Sequence, residues 1–193
     1  YLSVYNGDKY SAFNEYLTYG GLPFVTRLST HEQKTNYLTN LFEEIYIKDI
    51  INRYNIHSTD EFKELINILA SSIGSLTNPT KLEKVFKSVK HLSISANTIS
   101  TFIEYLEDAF IINKTQRYDI KGKSHIDSPF KYYFSDLGLR NARLNFRQLE
   151  ETHILENIIY NELLYRGYSV DVGVVSTYAQ SKEDSSRSKK YLE

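Results

Sequence analysis

The sequence predicts a mostly α chain with a small β component, and three observations carry that expectation. Apolar residues recur at i, i+3 and i+4 in six stretches, several opened by capping residues and closed by Gly. Between residues 110 and 134 the texture changes to runs of Ile, Thr, Tyr and Phe around a Lys-Gly-Lys turn, the pattern of a hairpin. At 193 residues, with 41% hydrophobic and 24% charged content, the chain is long enough to bury a core as one domain or two small ones.

The first helix is expected over Tyr10 to Leu17, stopped by Gly20-Gly21-Leu22-Pro23. A longer one follows from His31 to Arg53, with Leu38, Leu41, Phe42 and Ile45 as its buried stripe. Ser58 and Glu61 have capping-box spacing, and the helix they open turns Phe62, Leu65, Ile66, Leu69 and Ile73 inward before Gly74. Asn78-Pro79 reads as an N-cap with Pro at the first helical position, followed by Leu82, Val85, Phe86 and Val89 on one face. The next helix begins near Ser95 and buries Ile99, Phe102, Ile103 and Leu106.

Strand is expected at Phe110 to Ile112, Thr115 to Ile120 and Phe130 to Phe134, with Lys121 to Ser124 as the turn. Three short helices and then a hairpin, over residues 58–135, is the order of a winged helix. A further helix over Arg147 to Arg166 should bury Ile154, Leu155, Ile158, Ile159 and Leu163. A strand should follow from Tyr168 to Val175, and the Ser/Lys-rich stretch from Ser176 to Lys190 reads as a mobile loop.

Composition narrows the chemistry. With no Cys there is no disulfide, thiol nucleophile or thiolate-bound metal. The formal charge of −1 gives no global pull toward nucleic acid or an anionic membrane. Neither a run of roughly 20 apolar residues nor a signal-peptide pattern is present, so a soluble cytoplasmic protein is expected. The sequence holds no Met and ends on a polar stretch turning apolar, so it reads as a fragment.

The chain resembles the downstream half of a broad bacterial and archaeal family of predicted AAA-type ATPases, whose C-terminal region is a domain of unknown function. The residues that carry the resemblance begin with Tyr19-Gly20-Gly21-Leu22-Pro23, Asp49-Ile50 with Arg53, and Ala70-Ser71-Ser72-Ile73-Gly74-Ser75. They continue with Thr98-Ile99, Leu106-Glu107-Asp108-Ala109-Phe110 and Arg117-Tyr118-Asp119-Ile120-Lys121-Gly122-Lys123. Lys131-Tyr132-Tyr133-Phe134-Ser135-Asp136-Leu137-Gly138-Leu139, Leu155-Glu156-Asn157 and Glu162-Leu163 complete the set.

The resemblance implies an upstream ATPase module holding ATP and Mg in the parent protein, with Tyr1 to Leu28 as the trailing edge of its lid. It implies that residues 1–57 are a lid-and-linker helical segment, 58–135 a winged helix, and 136–193 the start of an incomplete restriction-endonuclease-like domain. Glu156 would then be the helix acid of that nuclease-like fold.

The residues themselves offer no catalytic set. Lys121-Gly122-Lys123-Ser124 contains Gly-Lys-Ser, but Arg117 stands where a P-loop needs its first Gly, and a strand follows where a helix is required. Glu150-x-x-His153 is a single motif where a di-iron site needs two. No metal-ligating or cofactor-binding residues are expected within the chain.

Nucleic acid is the remaining candidate ligand. Lys81, Lys84, Lys87 and Lys90 flank the second winged-helix helix, and Lys121 and Lys123 tip the hairpin. Between Thr77 and His125 eight Lys/Arg face five Asp/Glu, a local net of +3. Asn97, Thr98, Ser100 and Thr101 could reach base edges. Against this, Glu104, Glu107 and Asp108 on the same helix would repel phosphates. Arg140, Arg143 and Arg147 form a second basic cluster that could bind phosphate or pair with acids. DNA and a second copy are therefore partners to expect, beside the ATPase module that the resemblance implies. A protein-docking or oligomerisation module is the alternative to DNA engagement, and part of a metal-dependent nuclease whose active-site strands are missing here is the second alternative.

Overall fold

The computed structural model describes residues 5, 7–147, 151–180 and 187–192. The chain is mostly helical with a small four-stranded sheet. Helix α1 (Lys9–Tyr19) is capped by Asp8, whose Oδ1 accepts the Tyr10 and Ser11 N–H groups at 2.9 and 3.0 Å. Helices α2 (His31–Asn40) and α3 (Lys48–Arg53) are joined without a break by a π-helical segment, Leu41–Ile47. Thr30 and Gln33 close a capping box at the start of α2.

The π segment corrects the expected stripe. Its i→i+5 bonding makes the buried residues run Leu38, Phe42, Ile47, Ile50, with a step of five between Phe42 and Ile47. Ile45, expected inward on an α-helical period, is 58% exposed. The same substitution of winding occurs at Phe86–Lys90, after α5 (Pro79–Val85), and turns Val89 outward.

Helix α4 (Thr59–Ser71) starts where expected, although Ser58 makes no side-chain capping bond and the capping box is not formed. Its five expected core residues are all buried. Asn78 caps α5 through the Lys81 N–H at 2.7 Å, and Ser95 caps α6 (Ala96–Asp108) through the Thr98 N–H at 3.1 Å. Ile99, Phe102, Ile103 and Leu106 face the core as expected.

Strands β1 (Ile112–Asp119) and β2 (Ser124–Phe134) form the expected hairpin in a different register. Phe134 to Lys131 pair with Ile112 to Thr115, whereas the expected strands would set Thr115 to Ile120 against Phe130 to Phe134. Between Thr115 and Arg117 the partner jumps from Lys131 to Ile126, so β2 carries three extra residues there. Pro129 there has no N–H to give the ladder, and Phe130 instead exchanges two 2.8 Å backbone bonds with the distant Thr77. The outer edge of β2 is closed by that bridge, by the Gly74 N–H on Tyr132 O, and by Asn157 on Phe134.

Helices α7 (Leu137–Arg143) and α8 (Glu151–Tyr165) follow. Strand β3 (Val172–Gln180) then joins β1 in parallel, and β4 (Arg187–Leu192) pairs antiparallel with β3, so the sheet order is β2-β1-β3-β4. The strand expected from Tyr168 starts four residues later. Much of the Ser/Lys-rich stretch expected as a mobile loop is paired strand; Ser181 to Ser186 lie outside the described residues, as do Gln148 to Glu150 within the expected start of α8.

Helix α8 corrects its expected stripe too. The residues it buries are Ile154, Asn157 and Tyr160, while Leu155 and Ile159 are exposed. Asn157 accepts the Phe134 N–H and donates to Phe134 O, both at 2.8 Å, and Tyr160 stacks on Tyr133 with centroids 4.2 Å apart. The face of α8 that meets the sheet thus carries an amide that pairs the exposed backbone edge of β2, whose N–H and C=O would otherwise be buried without that partner.

One contiguous core runs from Val25 to Ile154. It is locked by a junction of residues far apart in sequence. Asp136 caps α7 through the Leu139 N–H at 3.0 Å and also accepts the Gly21 N–H at 2.7 Å. Gly20 stands at φ +73°, and Gly138 lies so close to Tyr19 that a Cβ there would fall 2.0 Å from the Tyr19 carbonyl. Asn141 donates to the Leu17 and Thr18 carbonyls at the end of α1. Burial pushes the Asp136 carboxyl upward from its ordinary value, opposed by the backbone N–H groups of Gly21, Leu139 and Gly138.

Candidate functional site

The basic face of α5 is built on a helix whose lysines largely answer to this chain's own groups. Lys87 pairs with Glu83 at 2.7 Å and Lys90 with Glu64 at 2.8 Å, while Lys81 Nζ donates to Leu76 O at 2.9 Å. Lys90 is the first source of the downward pull on the Glu64 carboxyl, which prevails over the upward push of burial. Lys84, Lys121 and Lys123 are exposed. At the hairpin tip, the N–H groups of Lys121 and Gly122 both donate to Asp119 Oδ1 at 3.0 Å, so the Gly-Lys-Ser trio is a turn closed on its own carboxylate. Ile120 N–H donates to Val174 O at 3.2 Å, which seats the tip beside β3.

The start of α6 turns its polar side chains onto itself. Thr98 Oγ1 lies 2.9 Å from Ser95 Oγ, and Thr101 Oγ1 donates to Asn97 O at 3.1 Å. Asn97 is exposed and Ser100 half-buried. Toward the other end, Glu104 and Asp108 are exposed and Glu107 is half-buried. Burial first, then the charges of Glu104 and Asp108, push the Glu107 carboxyl upward, with Lys114 opposing them. Asp108 accepts the Tyr54 hydroxyl at 3.3 Å, and Tyr54 stacks on Tyr105 at 3.8 Å.

Glu156 is held as part of a different cluster. Its Oε1 accepts both Lys131 Nζ at 3.0 Å and the Tyr133 hydroxyl at 2.6 Å, and its Oε2 sits over Gly74. Glu156, Lys131 and Tyr133, with Thr115, Tyr160 and Asp171, line an open cavity of about 270 Å³ between α8 and the sheet. Asp171 is bridged to His125 at 3.0 Å. Among the described residues no group of three or more His, Asp or Glu could hold a metal ion. Glu150 of the Glu-x-x-His motif lies outside the described residues. Lys131 and Tyr133 were missed by sequence reasoning, although their alternation in β2 puts both on the face opposite Tyr132 and Phe134.

Two of the three members of the second basic cluster are committed within the fold. Arg140 is buried and donates to Ala70 O at 2.8 Å and to Asn141 Oδ1 at 3.0 Å. Arg143 bonds Glu43 and donates to Lys63 O at 3.0 Å. Arg147 is exposed. Among the described residues, no helix is long and apolar enough to cross a membrane.

Two relatives share most of this chain. An uncharacterized protein of Haemophilus influenzae is 37% identical over 161 residues, covering 83% of this chain and 40% of that protein. An uncharacterized protein of Methanocaldococcus jannaschii is 29% identical over 170 residues, covering 87% of this chain and 37% of that protein. The chain thus spans about two fifths of the length of the curated relatives it matches. No solved structure matches it. Residues 10–150, from α1 through the hairpin and α7, match the family described as Domain of unknown function (DUF8612), and the chain belongs to that family.

Proposed function

We propose that this chain is a non-catalytic docking portion of a longer AAA-type ATPase, with residues 58–135 forming a winged helix that meets protein rather than DNA. The observation that carries the choice is the solvent side of α6. A helix laid in a DNA groove needs free donors and acceptors and a neutral or basic flank. Here the Thr98 and Thr101 hydroxyls bond within the helix, and Glu104, Glu107 and Asp108 line the same element. The winged-helix reading is supported by the order of α4, α5, α6 and hairpin, and by the single-residue Thr77–Phe130 bridge that ties the segment before α5 to the hairpin.

A longer parent is supported by relatives well over twice the length of the matched region, and its being an ATPase rests on the resemblance of the motifs alone. On this reading ATP and Mg belong to another module of the parent, and the chain itself carries out no chemistry. DNA engagement is the second reading, favoured by the exposed Lys84, Lys121 and Lys123.

Fluorescence anisotropy of labelled duplex and single-stranded DNA, titrated with this chain at low salt, separates the two. No binding is expected, and Lys84→Glu and Lys123→Glu should leave the traces unchanged. Binding that weakens steeply between low and physiological salt, and drops in those variants, would overturn the docking reading.

A further inference from the structure

We infer that the acidic end of α6 and the basic face of α5 are the two halves of a contact between copies of this chain. The inference rests on the docking reading and names its partner. From Ala96 to Phe110 the chain carries Glu104, Glu107 and Asp108 with no Lys or Arg, a net of −3. From Pro79 to Lys90 it carries four Lys against Glu83, and with Lys90 paired to Glu64 of α4 the face keeps a net of +2. Opposed potentials of this kind steer association and fix register.

Each surface also has an exposed apolar residue within it. Phe110 is 81% exposed and stands at φ +56°, a left-handed conformation that bulky side chains rarely adopt, so the fold holds the ring in solvent beside Asp108. Val89 is 62% exposed between Lys87 and Lys90, turned outward by the π winding of Phe86–Lys90. An apolar centre inside a charged rim is the anatomy of a protein interface.

The two surfaces are not used on each other within one chain. Lys81, Lys87 and Lys90 engage Leu76, Glu83 and Glu64, and the acidic end meets the Tyr54 hydroxyl, the Lys114 backbone and the Lys114 charge rather than α5. Because the surfaces differ, the contact is heterologous, and repetition gives a ring or a filament unless two copies close reciprocally.

Sedimentation velocity of this chain over a range of concentrations, at low and at high salt, reads the contact. Concentration-dependent association that salt weakens is expected. Lys84→Glu, Glu104→Lys and Phe110→Ser should each weaken it by about tenfold or more, with unchanged melting temperatures because all three side chains are exposed. Mixing the Lys84→Glu and Glu104→Lys variants should restore association, since each still offers one intact surface to the other. A chain that stays monomeric at low salt, or association indifferent to the charge reversals, would overturn the inference. The docking reading is judged separately, by the DNA titration, so a monomer that binds no DNA removes only the second copy as its partner.

Discussion

Gly138→Ala is expected to destabilise the fold by about 3 kcal/mol or more, because its added methyl makes the shortest contact of any of the eight glycines. The new Cβ would lie 2.0 Å from Tyr19 O, 2.6 Å from Tyr19 C and 3.0 Å from Asp136 Oδ1. Two of those atoms are backbone and the third is a half-buried carboxylate held by the Gly21 and Leu139 N–H groups, so none can swing aside as a free side chain would. Relief requires α7 to lift from α1. That motion stretches the Asp136 bond to the Gly21 N–H and the Asn141 bonds to the Leu17 and Thr18 carbonyls. Gly167→Ala is the control: its φ of +83° also favours Gly, but nothing lies within 4 Å of the new methyl, and a loss of about 1 kcal/mol is expected. Urea midpoints of the two variants should separate clearly at equal slopes. Equal midpoints would mean the α1–α7 contact is looser than described.

Asn157→Leu is expected to cost about 2–4 kcal/mol, because it removes both halves of a buried pairing with the Phe134 backbone and leaves the Phe134 N–H without an acceptor. The Phe134 carbonyl keeps the Asn161 amide at 2.9 Å, so Asn161→Leu should cost less than Asn157→Leu. Hydrogen exchange gives a local readout. The Phe134 amide should exchange much faster in the Asn157 variant, while core amides of α4 follow the global stability. Unchanged protection at Phe134 would show that α8 does not close the β2 edge.

Much of the fold was legible in the sequence, for reasons that differ between elements. Helices α4 and α6 each carry a wide apolar face at an undisturbed α-helical period, and every residue expected inward on them is buried. Asn78-Pro79 and Ser95 marked their helix starts because capping is a local bond between neighbours.

The failures at Ile45 and Val89 share one cause, since a π segment shifts the phase of everything after it and leaves no compositional trace. The face of α8 was misread for another reason. Leu155 and Ile159 outweigh Asn157 on any hydropathy scale, yet the strand edge beneath needed an amide. The β2 register turned on Pro129 and on Thr77, a partner more than fifty residues away, which pattern reading along the chain does not reach.

The candidate site divides along the same line. Charges were visible in sequence, but their partners were not. Lys90 is committed to Glu64 on another helix, Arg140 to a backbone carbonyl of α4, and Glu156 to Lys131 and Tyr133. Several motifs that carry the family resemblance meet at these places. Gly20-Gly21 meets Asp136 and Gly138, Ala70 meets Arg140, and Asn157 meets Phe134, so these residues build the junctions of the fold.

The most direct test is an amide chemical-shift map of α6 on addition of duplex DNA at low salt. The docking account predicts that Asn97, Thr98, Ser100 and Thr101 do not move. Shifts concentrated on those four residues and on Lys121 and Lys123, vanishing as salt is raised, would contradict it.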